Sequence, residues 1–212
     1  LVEGLLKREP LVGIALLDMY AKCGEYANAH EVFDQLPLQN VVAWNALMAG
    51  YAQFGKDSIV LKLLNRMVGE DVEPNTITFI IVLNACSNSG LVDKGEMVYD
   101  VMHRDYGIIP SKEQYTCMVD LFSCVGRFDK AIGLIEKVSI SSHRLPLWWA
   151  LLGACCKWVN VEVGRWAFEQ SLKLNGNYAS IYVCMRNIYA AAGMHEEAND
   201  VECWRIRNES LE

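Results

Sequence analysis

One seven-residue string recurs along the chain and closes on glycine each time: DMYAKCG (Asp18 to Gly24), AGYAQFG (Ala49 to Gly55), NACSNSG (Asn84 to Gly90), DLFSCVG (Asp120 to Gly126) and NIYAAAG (Asn187 to Gly193). The first four glycines are spaced 31, 35 and 36 residues apart, and a weaker copy surrounds Gly153. Recurrence on this scale is the mark of a repeat array. Around each glycine the apolar spacing is helical: Trp44, Leu47, Met48 and Tyr51 form one stripe before Gly55, and Ile59, Leu63 and Met67 another after it. Each unit is therefore two helices joined by a turn, and glycine suits the turn because it accepts the left-handed conformation that ends a helix. A helix pair this short cannot bury its apolar face alone, so the units must stack into an all-α solenoid. Ser111 with Gln114 and Asp93 with Glu96 fit the capping box that starts a helix. Counted from the aromatic at the fourth place of each first helix, the units run 10–40, 41–75, 76–111, 112–144, 145–178 and 179–212, with residues 1–9 the tail of an earlier one.

Composition narrows what such an array can do. The chain has 212 residues, 52% hydrophobic, with 19 Lys+Arg against 26 Asp+Glu and a net charge of −7. That excludes a disordered segment and argues against a protein that holds nucleic acid mainly by positive charge. Charged or polar residues interrupt every apolar run, so no membrane span is expected. The chain opens at Leu1, and LVEGLLKRE is too short and too charged for a secretory signal; a piece of a longer protein is expected, its targeting segment elsewhere. None of the eight cysteines forms a C-x-x-C pair, and the four histidines are scattered, His195-Glu196 lacking the second histidine of H-E-x-x-H. The deaminase pattern H-x-E with a later P-C-x-x-C is absent as well. The cysteines read as structural thiols, mostly core, with no cofactor and no metal.

The wording of these segments and their alternating lengths resemble the plant pentatricopeptide repeat (PPR) proteins of the PLS class, in which short, standard and long repeats alternate. Residues 10–40 look like a short repeat, 41–75 (VVAWNALMAGYAQFGKDSIVLKLLNRMVGEDVEPN) a standard one, 76–111 a long one, and 112–144, with YTCMVDLF (Tyr115 to Phe122), a final short one. Residues 145–212, with LLGAC (Leu151 to Cys155) and NIYAAAG, resemble the two PPR-like units of an E-type extension. The resemblance implies a right-handed α-α superhelix that binds single-stranded organellar RNA, one base per repeat, and specifies sites of cytidine-to-uridine editing. It implies a DYW-type deaminase supplied in trans or by a missing C-terminal domain, editing helper proteins docking near 76–111, and no catalysis, small-molecule substrate or membrane for this chain. It also implies a plant organelle, the mitochondrion ahead of the chloroplast.

In this family the fifth and last residues of a repeat choose the base and the second packs against base faces. On that pattern Asn45 and Asn75 are a reading pair with Val42 as packing residue, and an amide pair favours cytidine over uridine. Thr116 reads a purine in 112–144, where VSISSHR (Val138 to Arg144) puts His143 or Arg144 in place of the expected Asp or Asn. The units with Ile14 and Asn40, and with Ile80 and Ser111, are spacers or weak readers, since isoleucine cannot hydrogen-bond a base edge. Asn40, Asn75 and Ser111 also stand where helix caps stand, and for Ser111 capping leads. No acid lies between Glu136 and Glu162, an interval that holds Trp148, Trp149 and Trp158. Trp148 and Trp166 fill a helix interface or bind; Trp149 and Trp158, near them without the same repeat place, are assigned to partner docking. Splicing or transcript stabilisation could use the same repeats. A helical protein-binding scaffold is the reading of another class, and an enzyme working through its cysteines a third.

Overall fold

A computed structural model describes residues 10–138, 141–174 and 178–209. Among them are helices α1 (Pro10–Lys22), α2 (Tyr26–Gln35), α3 (Val41–Gln53), α4 (Asp57–Gly69), α5 (Thr76–Asn88) and α6 (Val92–Arg104) in one compact unit ending at Pro110. A second unit, from Ser111, holds α7 (Lys112–Cys124), α8 (Phe128–Lys137), α9 (Ser141–Trp158), α10 (Val161–Lys173), α11 (Ala179–Ala191) and α12 (His195–Glu209). No strand occurs among the described residues, and no helix is long and apolar enough to cross a membrane.

Consecutive helices pair as hairpins, and all six hairpins close the same way. The residue three past the last helical one, or two past it after α9, donates its N–H to a carbonyl five residues back: Glu25 to Tyr20, Lys56 to Tyr51, Leu91 to Cys86, Arg127 to Phe122, Asn160 to Cys155 and Met194 to Tyr189, at 2.9–3.1 Å. This ending requires one left-handed residue. Gly24, Gly55, Gly90, Gly126 and Gly193 supply it with φ between 63° and 79°. In the weaker copy, Val159 takes the same role at φ 51°, a conformation that crowds a β-branched side chain.

The expected stripe on α3 is the core: Trp44, Leu47 and Met48 are fully buried and Tyr51 nearly so. On α4 the buried line is Val60, Leu63 and Met67. Ile59, expected in that stripe, is half-buried beside it, because the face is set by what α4 packs on. Phe33 meets Trp44 edge-on, with centroids 4.7 Å apart, and the Arg66 guanidinium lies 5.3 Å from the Trp44 ring centroid. First helices pack on first helices, α1 on α3 and α3 on α5 in one unit, α7 on α9 and α9 on α11 in the other. The approach is close enough at Gly50 that an added Cβ would stand 2.3 Å from Cβ of Ala21. Ser89, which ends α5, donates its hydroxyl to the buried Asp57 carboxylate at the start of α4.

Two sequence expectations fail in detail. Asp93 is not the cap of α6: the helix begins at Val92 behind Leu91, so the acid sits in the first turn, where it faces the positive end of the helix dipole. The glycine turn leads straight into the helix and leaves no room for a separate cap. Helix α9 begins at Ser141, ahead of the expected boundary at 145, and runs through Pro146.

Two substitutions test this geometry. Gly50→Ala should lower stability by roughly 1–3 kcal/mol through overpacking, read as a lower denaturant midpoint. Val159→Gly should raise stability by about 1 kcal/mol by relieving the left-handed valine, seen as a higher melting temperature.

Candidate nucleic-acid interface

The expected reading residues gather at the N-terminal ends of first helices. Asn75 caps α5: its Oδ1 accepts the Thr78 N–H at 3.0 Å, and its own N–H donates to Thr78 Oγ1 at 3.1 Å. From the neighbouring first helix α3, Asn45 reaches across and donates Nδ2 to Asn75 Oδ1 at 3.2 Å. The fully buried Thr78 hydroxyl donates to Asn45 Oδ1 at 2.7 Å. Asn45 and Asn75, thirty residues apart in sequence, thus form one closed network, with Asn45 only 8% exposed. Capping and pairing coexist: the cap uses Asn75 Oδ1 and leaves its Nδ2 uncommitted within the described residues.

Beside this network the second places of three successive units carry exposed apolar side chains. Val42 is 53% exposed, Ile77 57% and Leu11 79%. Sequence reasoning had singled out Val42 alone. Leu11 and Ile77 stand at the same count from the start of their units, so the repeat frame already contained them. An exposed aliphatic residue beside a polar pair suits a flat apolar face with a polar edge.

The other expected readers differ. Asn40 caps α3 with its Oδ1, accepting from Val42 and Ala43 N–H at 3.1 Å, and its unit offers the half-buried Ile14 at the fifth place. Ser111 caps α7, and its N–H donates to Oε1 of the buried Gln114 at 2.7 Å, while Ile80 at the fifth place is half-buried. The Thr116 hydroxyl donates back to the Lys112 carbonyl at 2.9 Å, leaving its lone pairs. Arg144 spends its guanidinium on the last carbonyls of α8, Val138 O at 2.5 Å and Glu136 O at 3.0 Å. The His143 side chain lies outside the described residues.

The tryptophans separate by role. Trp148 is buried and meets Trp166 edge-on at 4.7 Å, filling the α9–α10 interface. Trp149 is half-buried, edge-on to Tyr178 at 4.9 Å. Trp158 is half exposed, and its other half lies over the turn at Gly126, 3.9 Å from where a Cβ would be. Phe54 covers Gly24 in the same way at 3.5 Å. Trp158 therefore holds the repeat place that Phe54 holds, the fourteenth of its unit and directly before the left-handed residue, though not the place of Trp148.

The thiols also need correction, since only Cys86, Cys117 and Cys155 are buried while Cys23, Cys124 and Cys203 are exposed. All eight are free, and no group of three or more metal-binding side chains assembles among the described residues. Burial pushes Cys86 up to about 11 and Cys155 to about 12. Cys117 rises to about 12, by burial first and then by the Asp120 carboxylate.

A helical-hairpin array with a polar pair, Asn45 and Asn75, at a first-helix N-terminus defines a class of modular repeat proteins, and comparison with known proteins specifies which. The PPR repeat family matches residues 39–88, and the PPR repeat matches 15–41, 77–106 and 115–139. Together these span more than half of the chain, which belongs to the pentatricopeptide repeat family. A chloroplastic pentatricopeptide repeat-containing protein of Arabidopsis thaliana is 40% identical over 94% of this chain, and a mitochondrial one 40% identical over 91%. The chain spans 22% and 29% of their lengths. The crystal structure of the maize protein PPR10 superposes with a TM-score of 0.71 at 22% identity, covering 91% of this chain and 28% of that one. PPR10 in complex with an 18-nt psaJ RNA element gives 0.57 at 21% identity over 92% of this chain and 28% of that one. These likenesses establish the all-α helical-repeat fold.

At pH 8, native protein treated with iodoacetamide should be alkylated at Cys23, Cys124 and Cys203. Cys86, Cys117 and Cys155 should react only after denaturation, because raised pKa values leave little thiolate; peptide mass spectrometry distinguishes the sites.

Proposed function

We propose that this chain reads single-stranded RNA in a plant organelle and serves as the site-recognition part of a cytidine-to-uridine editing factor. One observation carries the reading: Asn45 and Asn75 are joined by a direct hydrogen bond beside the exposed Val42 and Ile77. Apolar side chains of that size offer contact to base faces, and the amides offer hydrogen bonds to a Watson–Crick edge. The relatives support it, since PPR10 has been crystallised with an RNA element and the Arabidopsis proteins carry organellar names.

The network also supports cytidine over uridine. Asn75 Oδ1 is taken by Thr78 and Asn45, so the group left for a base is Nδ2, a donor. A donor meets the N3 acceptor of cytosine and opposes the N3–H of uracil. Thr116, with its donor turned back on Lys112, keeps only acceptor capacity for a base. Asn40 and Ser111 act in this proposal mainly as caps, with weak reading.

The PLS class is supported by helix length: the second helices α2 and α8 have 10 residues, against 13 in α4 and α6. That difference matches short units at 10–40 and 112–144 beside standard and long ones. We assign residues 145–212 to an E-type extension, and the half-exposed Trp158 with Lys157 and Trp149 to docking of a deaminase supplied in trans. With a net charge of −7, affinity depends on base contacts more than on phosphate neutralisation.

The test is selection from a random single-stranded RNA pool by the purified chain, followed by sequencing. Enrichment of one position for cytidine over uridine is expected, and Asn75→Asp should turn that position to uridine. A pool that emerges unenriched, or a purine at the position answering to Asn75, refutes the reading.

A further inference from the structure

We infer that Thr78 is a specificity-determining residue for the base read by Asn45 and Asn75, although it belongs to the first turn of the following repeat. The inference rests on the RNA-reading proposal and concerns what fixes the selectivity of that pair.

Two amide side chains can each present oxygen or nitrogen, so an isolated Asn–Asn pair has no reason to distinguish cytosine from uracil. Here each orientation is determined by a neighbour. The backbone N–H of Thr78 points at Asn75 Oδ1, 3.0 Å away, so turning the Asn75 amide over would set donor against donor. The Thr78 hydroxyl, having accepted the Asn75 N–H at 3.1 Å, has one proton and two oxygens in reach, Asn45 Oδ1 at 2.7 Å and Asn75 Oδ1 at 3.1 Å; it goes to the nearer, because Asn75 Oδ1 already accepts from the Thr78 N–H and Asn45 Nδ2. That anchors the Asn45 oxygen and leaves Asn45 Nδ2 facing Asn75 Oδ1. The ring closes only because one atom, Thr78 Oγ1, both accepts and donates.

Without that hydroxyl the Asn45 oxygen, in a side chain only 8% exposed, loses its donor. A buried unpaired carbonyl is costly, and the amide relieves it by rotating, which takes Nδ2 away from Asn75. The two amides then become independent, and the base meets no fixed pattern of donors.

The other junctions show what the ring needs. The third-place residue after Asn40 is Ala43, which contributes only its backbone N–H to the cap, and Ile14 has no polar group to couple. After Ser111 it is Gln114, which carries an amide rather than a hydroxyl and whose Oε1 accepts the Ser111 N–H. Of the three capping residues Asn40, Asn75 and Ser111, only Asn75 is followed by a hydroxyl at the third place. The reading module is therefore the last residue, the fifth residue and the third residue of the next unit.

The test applies the same random RNA pool to the chain carrying Thr78→Val, Thr78→Ala or Thr78→Ser. A cytidine-to-uridine ratio of about tenfold, the discrimination expected of one base-edge contact, should fall to within about twofold in the Val and Ala variants and return in the Ser variant. Preferences at other positions should stay. A helix cap alone would change the melting temperature and leave the ratio untouched, so lower melting temperatures with an unchanged ratio in Val and Ala overturn the inference while the RNA reading stands. If the unaltered chain enriches no base at all, the reading itself fails and the role of Thr78 falls with it. Circular dichroism melting of each variant identifies a folded sample, and the Ala variant, which adds no bulk, covers failure of the Val variant to fold.

Discussion

A single left-handed residue at the end of each first helix sets the geometry on which the rest depends. It allows the hydrogen bond five residues back, reverses the chain within a few residues, and delivers the second helix back onto its partner. First helices can then lie against first helices, as α1, α3 and α5 do, with backbones close enough at Gly50 and Ala21 to exclude a methyl group. The constraint is strong enough to hold where the sequence resists it: Val159 takes the left-handed conformation that glycine takes in the other five turns. Packing across α9, α10 and α11 supplies what the turn costs there.

Because first helices repeat in register, their N-termini repeat too. The last residue of a unit stands at the N-cap of the next first helix, and at Asn75 the fifth residue of the same unit comes alongside it from the preceding first helix, α3. Asn75 and Asn45 meet for that reason, and Thr78 joins them because an N-cap bonds the third residue of its own helix. Capping and the proposed base reading are one arrangement: the cap consumes the acceptor of Asn75 and thereby orients its donor. The same logic separates this junction from that of Asn40, where isoleucine at the fifth place, Ile14, has no polar group to offer.

Much of this was legible in the sequence. The spacing of Gly24, Gly55, Gly90 and Gly126 required helical hairpins, and of the fourth-place aromatics, Trp44, Phe79, Trp148 and Tyr182 are buried and Tyr115 half-buried. The failures have a common cause. Ile59, Asp93 and the cysteines were judged from local pattern, whereas which side of a helix is covered, and where a turn hands over to a helix, depends on the neighbouring hairpin. Cys23 and Cys124 sit near the ends of first helices, where packing has run out, and are exposed. Trp158, assigned from sequence to partner docking, also lays its ring on Gly126 as the Phe54 ring lies on Gly24.

By itself, then, the sequence determined the helix-turn-helix period and the family, and with it the places proposed for base reading, because periodicity and left-handed glycines are local properties of the chain. Only the tertiary structure decided what those places contain: that Asn45 and Asn75 share one hydrogen-bonded ring, that Thr78 closes it, and that Asn75 is left with a donor. Amide orientation depends on groups separated by thirty residues in sequence and brought within about 3 Å by stacking, and no local pattern carries that information.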